Sequence, residues 1–221
     1  MQYEDCILYS VPVDDEEVNI PRHNSYIGWA ANDLLLKPQK KEYVLIDHYN
    51  YNIQNTDLVK KQKALENDKT NYVIEACIEY YQPKLISVKQ FCTGGVRELS
   101  SFDFNDDEGY IRSSALPYTE AVNMYNQAQI FFVTHPESLG LSVLEASMAG
   151  ALIVTPKGYI NKGLTKDLVV VEYENKIPFD EVEFVLDNFN PVYISSFANQ
   201  FNYLNWVEKF LYIIRDRRLC N

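Results

Sequence analysis

Two carboxylates, Glu137 and Glu145, lie within the stretch His135-Pro-Glu-Ser-Leu-Gly-Leu-Ser-Val-Leu-Glu-Ala-Ser-Met-Ala-Gly150. The stretch reads as the opening of a helix, with Glu137 just before the first turn and Glu145 about two turns inside, at ~3.6 residues per turn. The N–H groups of a helix's first turn have no partner within the helix and can hold a diphosphate. Carboxylates on either side of them accept hydrogen bonds from hydroxyls. Together these groups can grip a sugar, its phosphates and a ribose, which points to a sugar nucleotide. Taken alone, the pair is better explained with Glu137 as a charge complementing the helix dipole and Glu145 as an exposed helix position. The surrounding elements favour the site.

Those elements are short apolar runs alternating with helical patterns, which predicts βα units around a parallel sheet. Cys6–Val11 is compatible with a strand, and Ile27–Leu36 is apolar but ambiguous between strand and helix. Tyr43–Asp47 and Lys84–Lys89 read as strands on either side of a helix from about Asp57 to Tyr81, ended by Pro83. Thr93–Gly109 reads as an excursion, Tyr110–Ser114 as a strand, and Thr119 as the cap of a helix that includes Ala121, Tyr125 and Ala128. Ile130–Thr134 is uniformly apolar up to its threonine, as expected of a strand buried on both faces. Gly150 then stands at a helix C-cap, Ala151–Thr155 and Leu168–Glu172 are strands, and Phe197–Arg217 carries an apolar stripe at helical spacing, read as packing.

The 20 basic and 31 acidic residues give a formal charge of −11, which argues against nucleic acid or an anionic membrane as a general partner. An anionic ligand must be held locally. Cys6, Cys77, Cys92 and Cys220 are widely spaced with no Cys-x-x-Cys, so neither zinc ligation nor a dense disulfide framework is expected. Asp103-Phe-Asn-Asp-Asp-Glu108 reads as a polar loop and not as a metal site. The acidic N-terminus and the lack of a long apolar run point to a cytoplasmic chain, or one held at a membrane through a partner.

The strand before the motif, the Glu-Ser-Leu-Gly turn and the helix closed by Ala-Gly resemble retaining GT-B glycosyltransferases of family 4. Glu137, Gly140, Leu141, Glu145, Ala149 and Gly150 match the family pattern, and Leu116-Pro-Tyr-Thr-Glu-Ala-Val-Asn-Met-Tyr-Asn-Gln-Ala128 is similar to the segment that precedes it. The resemblance implies an α/β, Rossmann-like parallel sheet flanked by helices, the C-terminal donor-binding half of such an enzyme. It implies that Glu137 is catalytic and holds donor-sugar hydroxyls, and that Glu145 takes the two ribose hydroxyls. Backbone N–H groups of Leu139, Gly140 and Leu141 would face the diphosphate, with Ser138 or Ser142 adding a hydroxyl. The family's Gly-Arg and Lys-Gly signature is replaced by Asp47-His-Tyr-Asn-Tyr-Asn-Ile-Gln-Asn55. Substitutes are sought at Lys89, Arg97, Lys60 and Lys61, and His135 and His48 are further candidates for phosphate or sugar contact.

The implied reaction is transfer of a hexose-like sugar from a UDP- or GDP-sugar to a carbohydrate or lipid-linked acceptor, with retention and with neither metal nor cofactor. Residues 1–41 are expected to be an N-terminal extension, 42–196 the nucleotide-sugar-binding domain, and 197–221 a C-terminal helix on that domain. About 40 residues cannot build the acceptor domain of such an enzyme. A missing N-terminal domain, a partner chain, or a non-catalytic binding subunit therefore stand beside the enzyme reading. A sugar-nucleotide epimerase of the same fold is a third.

Overall fold

The computed structural model describes residues 8–9, 25–26, 31, 34–39, 41–47, 70–92, 95–98, 117–136 and 140–219. Strands β1 (Leu8–Tyr9) and β2 (Ser25–Tyr26) pair in parallel as a separate two-stranded sheet. The main sheet contains β3 (Tyr43–Ile46), β4 (Ser87–Cys92), β5 (Gly95–Glu98), β6 (Ala128–Phe132), β7 (Leu152–Pro156) and β8 (Val170–Tyr173), in the order β5-β4-β3-β6-β7-β8. Five of these strands are parallel, and β5 returns antiparallel on the edge beside β4. Helix α1 covers residues 70–81. It is followed by α2 (Tyr118–Gln127), α3 (Leu141–Met148), α4 (Lys162–Asp167), α5 (Phe179–Asn188), α6 (Pro191–Ala198) and α7 (Tyr203–Leu219). The result is a Rossmann-like α/β sheet flanked by helices.

The central strands are buried from end to end, as their unbroken apolarity requires when both faces are covered. Alternate residues of each strand enter different cores. Tyr43, Leu45, Phe131, Val133 and Ile153 pack with residues of α2, α3 and α4. Val44, Ile46, Ile130, Phe132, Leu152 and Val154 pack with α1 and with Val182 of α5. Asn126 ties residues 35–37 to the first side, donating from Nδ2 to Leu35 O and accepting from Lys37 N–H.

Several boundaries differ from the sequence reading. The strand expected at Lys84–Lys89 begins at Ser87, because a 3₁₀ turn over Gln82–Lys84 ends with Leu85 in the left-handed region. The excursion at Thr93–Gly109 includes β5, whose glycine and two charged residues carry no strand pattern. Pro117, not Thr119, stands at the start of α2, and Ala128 already belongs to β6. The helix expected over Phe197–Arg217 is two helices. α6 ends at Ala198, a 3₁₀ turn follows, and Asn202 caps α7 by accepting from Asn205 N–H at 2.8 Å. Beyond that turn Leu204, Val207 and Leu211 are exposed, so the apolar stripe is not buried in the core. Helices α4, α5 and α6 start at Asn161, Pro178 and Asn190, signals the sequence reading passed over. The expected strand at Tyr110–Ser114 lies outside the described residues.

Candidate functional site

The chain leaves β3 toward β4 on one side and later takes up β6 on the other, so the strand order reverses between β3 and β6. In open α/β sheets, ligands bind outside the carboxyl ends of the strands at such a point. Asp47 follows β3 there, with its N–H donating to Phe132 O at 2.9 Å and its side chain almost wholly buried. Beyond β6, Val133 and Thr134 lead to His135, whose Nδ1 is 3.5 Å from Asp47 Oδ2. That is the distance of an ionic contact, longer than a formed hydrogen bond. Among the described residues, the Thr134 hydroxyl is buried with no hydrogen-bond partner, which is uncommon for a buried polar group.

From this edge the chain turns into α3. Gly140 stands at its N-cap with φ 64° and ψ 30°, a left-handed conformation that favours glycine, and as a glycine it has no side chain with which to cap the helix. The helix begins at Leu141, so Glu145 is one turn inside it and not two. Val143, Leu144, Ala146, Ser147 and Met148 are buried, which leaves Leu141, Ser142 and Glu145 as the accessible strip. Glu145 is half-buried. Loss of water raises its carboxyl above the usual range, and a hydrogen bond from Tyr118, the first residue of α2, acts in the opposite direction.

The other end of α3 is architectural. Gly150 N–H donates to Ser147 O and Ala151 N–H to Ala146 O, both at 2.9 Å, and Gly150 has φ 83°, which together make a Schellman closure. A Cβ on Gly150 would stand 2.5 Å from Pro191 O, so the glycine lets α6 pack on α3. Ser195 Oγ reinforces that contact by donating to Met148 O at 2.6 Å.

Of the residues selected from the sequence, His135, Gly140, Leu141 and Glu145 gather at this edge. Glu137, Ser138, Leu139, His48, Lys60 and Lys61 lie outside the described residues. Lys89 is the third residue of β4 and not a strand end, and its ammonium sits 4.0 Å above the Tyr43 ring. Arg97 is opposite Gln90 on the antiparallel edge. Lys157, just beyond β7, is paired with Glu174 at 2.9 Å. Sequence reasoning did not single out Thr134 or Tyr118 as site residues. The positions just past consecutive apolar strands could have revealed Thr134, but Tyr118 required the packing of α2 on α3. Among the described residues, no three His, Cys, Asp or Glu come together as metal ligands, and no helix is long and apolar enough to cross a membrane.

No family model and no curated protein matches the sequence. Among solved structures, the chain is similar in fold to the sucrose-phosphate synthase of Thermosynechococcus elongatus, with a TM-score of 0.59 and 12% identity. The match covers 98% of this chain and 59% of that one, so the chain spans little more than half the length of its structural relative.

Proposed function

We propose that this chain binds a nucleoside-diphosphate sugar at the carboxyl edge of β3 and β6 and transfers the sugar to a carbohydrate or lipid-linked acceptor. The observation that carries the proposal is the entry into α3. A left-handed Gly140 opens the helix at the topological switch point, with Glu145 half-buried one turn inside. Backbone N–H groups at the helix start suit a diphosphate, and a carboxylate that accepts two bonds suits a ribose diol. The fold shared with a sucrose-phosphate synthase supports the same general reading. In it Glu137 holds the donor sugar, Ser138, Leu139, Gly140 and Leu141 surround the diphosphate, and His135 contacts phosphate or sugar. The reaction is retaining, needs no metal or cofactor, and takes its acceptor from a wall supplied by a further domain or partner chain.

The acidic end of β3 favours a second reading, a nucleotide-sugar-binding partner subunit without turnover, because Asp47 offers no positive charge to a departing diphosphate. Calorimetric titration with UDP- and GDP-sugars, followed by product analysis with candidate acceptors and partners, separates the two. Glu145→Ala should weaken binding of donor and free nucleotide alike by ~1–3 kcal/mol. Glu137→Ala should weaken the intact donor more than the free nucleotide. Binding without turnover in any mixture selects the subunit, and no binding to any sugar nucleotide rejects both readings.

A further inference from the structure

Residues 38–39 and the start of α6 line an open groove of about 640 Å³, within the size range of small-molecule sites. Pro38 and Gln39 form one wall, and Asn190, Val192, Tyr193 and Ser196 the other. Both walls are pinned. Asn126 holds residues 35 and 37 through two hydrogen bonds, Asn190 Oδ1 accepts from Tyr193 N–H at 2.9 Å, and Pro191 packs against Gly150. Gly150 lies between the end of α3 and β7, so the groove is at the amino edge of the sheet, opposite the candidate donor site.

Although 23% of the chain is charged, the described lining of this groove carries no charged side chain. A phosphate or an ionic peptide would therefore find no countercharge in that lining. The groove offers instead an aromatic ring, the apolar surfaces of proline and valine, and neutral amides and hydroxyls. Tyr193 is exposed but fixed in place, stacked on Phe189 and met edge-on by Phe197, each with ring centroids 5.1 Å apart. The cap takes Asn190 Oδ1 and leaves its amide Nδ2 as a donor. Ser196 Oγ donates to Tyr193 O at 2.6 Å and keeps its lone pairs as acceptors.

We propose that this groove binds a neutral pyranose unit of an oligosaccharide, as a second sugar site apart from the donor site. A pyranose has an apolar face of C–H groups, which suits the electron-rich face of an aromatic ring, and a rim of hydroxyls that both donate and accept. The amides of Gln39 and Asn190 and the Ser196 hydroxyl match that rim without charge. The net charge of −11 disfavours an anionic glycan. Because the walls are already held, little ordering cost is left to binding.

The test is titration of the full chain with maltotriose, cellotriose and chitotriose, followed by saturation-transfer NMR. At least one trisaccharide should bind through the C–H protons of one ring face, and saturating UDP should not displace it. Tyr193→Ala should weaken that binding about tenfold and Tyr193→Phe little. Gln39→Ala should weaken it about threefold. Gln39 lies outside any regular element, so its variant carries the test if Tyr193→Ala does not fold. Binding of none of the three sugars overturns the proposal, as does displacement by UDP, affinity unaltered by the groove variants, or binding of a proline-rich peptide in place of the sugars. The donor-site reading is judged separately, from nucleotide affinity in wild type and Glu145→Ala, so either can fail alone.

Discussion

His135 Nδ1 stands 3.5 Å from Asp47 Oδ2 across the gap between β3 and β6. The two residues are far apart in sequence and meet because the topology makes their strands neighbours at the point where the strand order reverses. Asp47 is almost wholly buried and the His135 side chain about one-quarter exposed. A carboxylate so placed attracts the protonated ring and repels a phosphate. The net charge of the pair therefore decides whether an anion is welcome.

Asp47→Asn should consequently strengthen binding of a nucleoside diphosphate about fivefold, by removing one partly screened negative charge near the ligand. A nucleoside without phosphates should bind both proteins alike. Calorimetry at fixed ionic strength checks this, and an unaltered affinity for the diphosphate would place the ligand's phosphates away from Asp47.

Glu145 should oppose stability while serving binding. Its folded-state carboxyl is raised, chiefly by loss of water. The folded state therefore holds the proton more tightly than the unfolded chain, and the stability this confers is lost as pH rises through the folded value. Glu145→Gln removes the ionisation and still offers the Tyr118 hydroxyl an acceptor. Its stability relative to wild type should increase between pH 4 and pH 7, as followed by urea unfolding, while nucleotide affinity at pH 7 falls.

The sheet and the ends of α3 are legible in the sequence because their signals are local. Continuous β-branched and aromatic runs mark β3, β6 and β7, and the Gly-Leu and Ala-Gly pairs mark the ends of α3. The break at Asn202 was hidden because apolar spacing continues through it, whereas the cap depends on one asparagine side chain. The link between Tyr118 and Glu145 could not be read from spacing, since it depends on how two helices pack. Lys89 was misplaced for a related reason. Its strand continues to Cys92, and the charge is absorbed by Tyr43 on the neighbouring strand.

Lys41 should make stability rise with pH above neutrality. Its ammonium donates to Ala149 O at 2.6 Å and Asn126 O at 3.2 Å, tying together the ends of α3 and α2. Burial lowers its pKa from the ordinary 10.5 to about 7. Between those values the unfolded chain binds a proton that the folded chain does not, so stability increases with pH across that window. Lys41→Met removes both the ionisation and the donors. The stability difference between wild type and variant should widen in favour of wild type from pH 7 to pH 9, and a constant difference in urea unfolding would contradict this.

Gly150→Ala tests whether the glycine that closes the motif serves the ligand or the fold. The position has φ 83°, and an added Cβ would stand 2.5 Å from Pro191 O and 2.8 Å from Pro191 Cβ. The first contact is with backbone, so α6 must move or the turn must distort. Strain and overpacking together should lower stability by roughly 2–5 kcal/mol. The start of α3 lies at the opposite end of the helix and should keep its geometry wherever the variant remains folded. Nucleotide affinity measured at low temperature, well below the variant's lowered melting point, should therefore match wild type. If affinity is lost in a protein that is fully folded by circular dichroism, the two ends of α3 act as one unit and Gly150 belongs to the site.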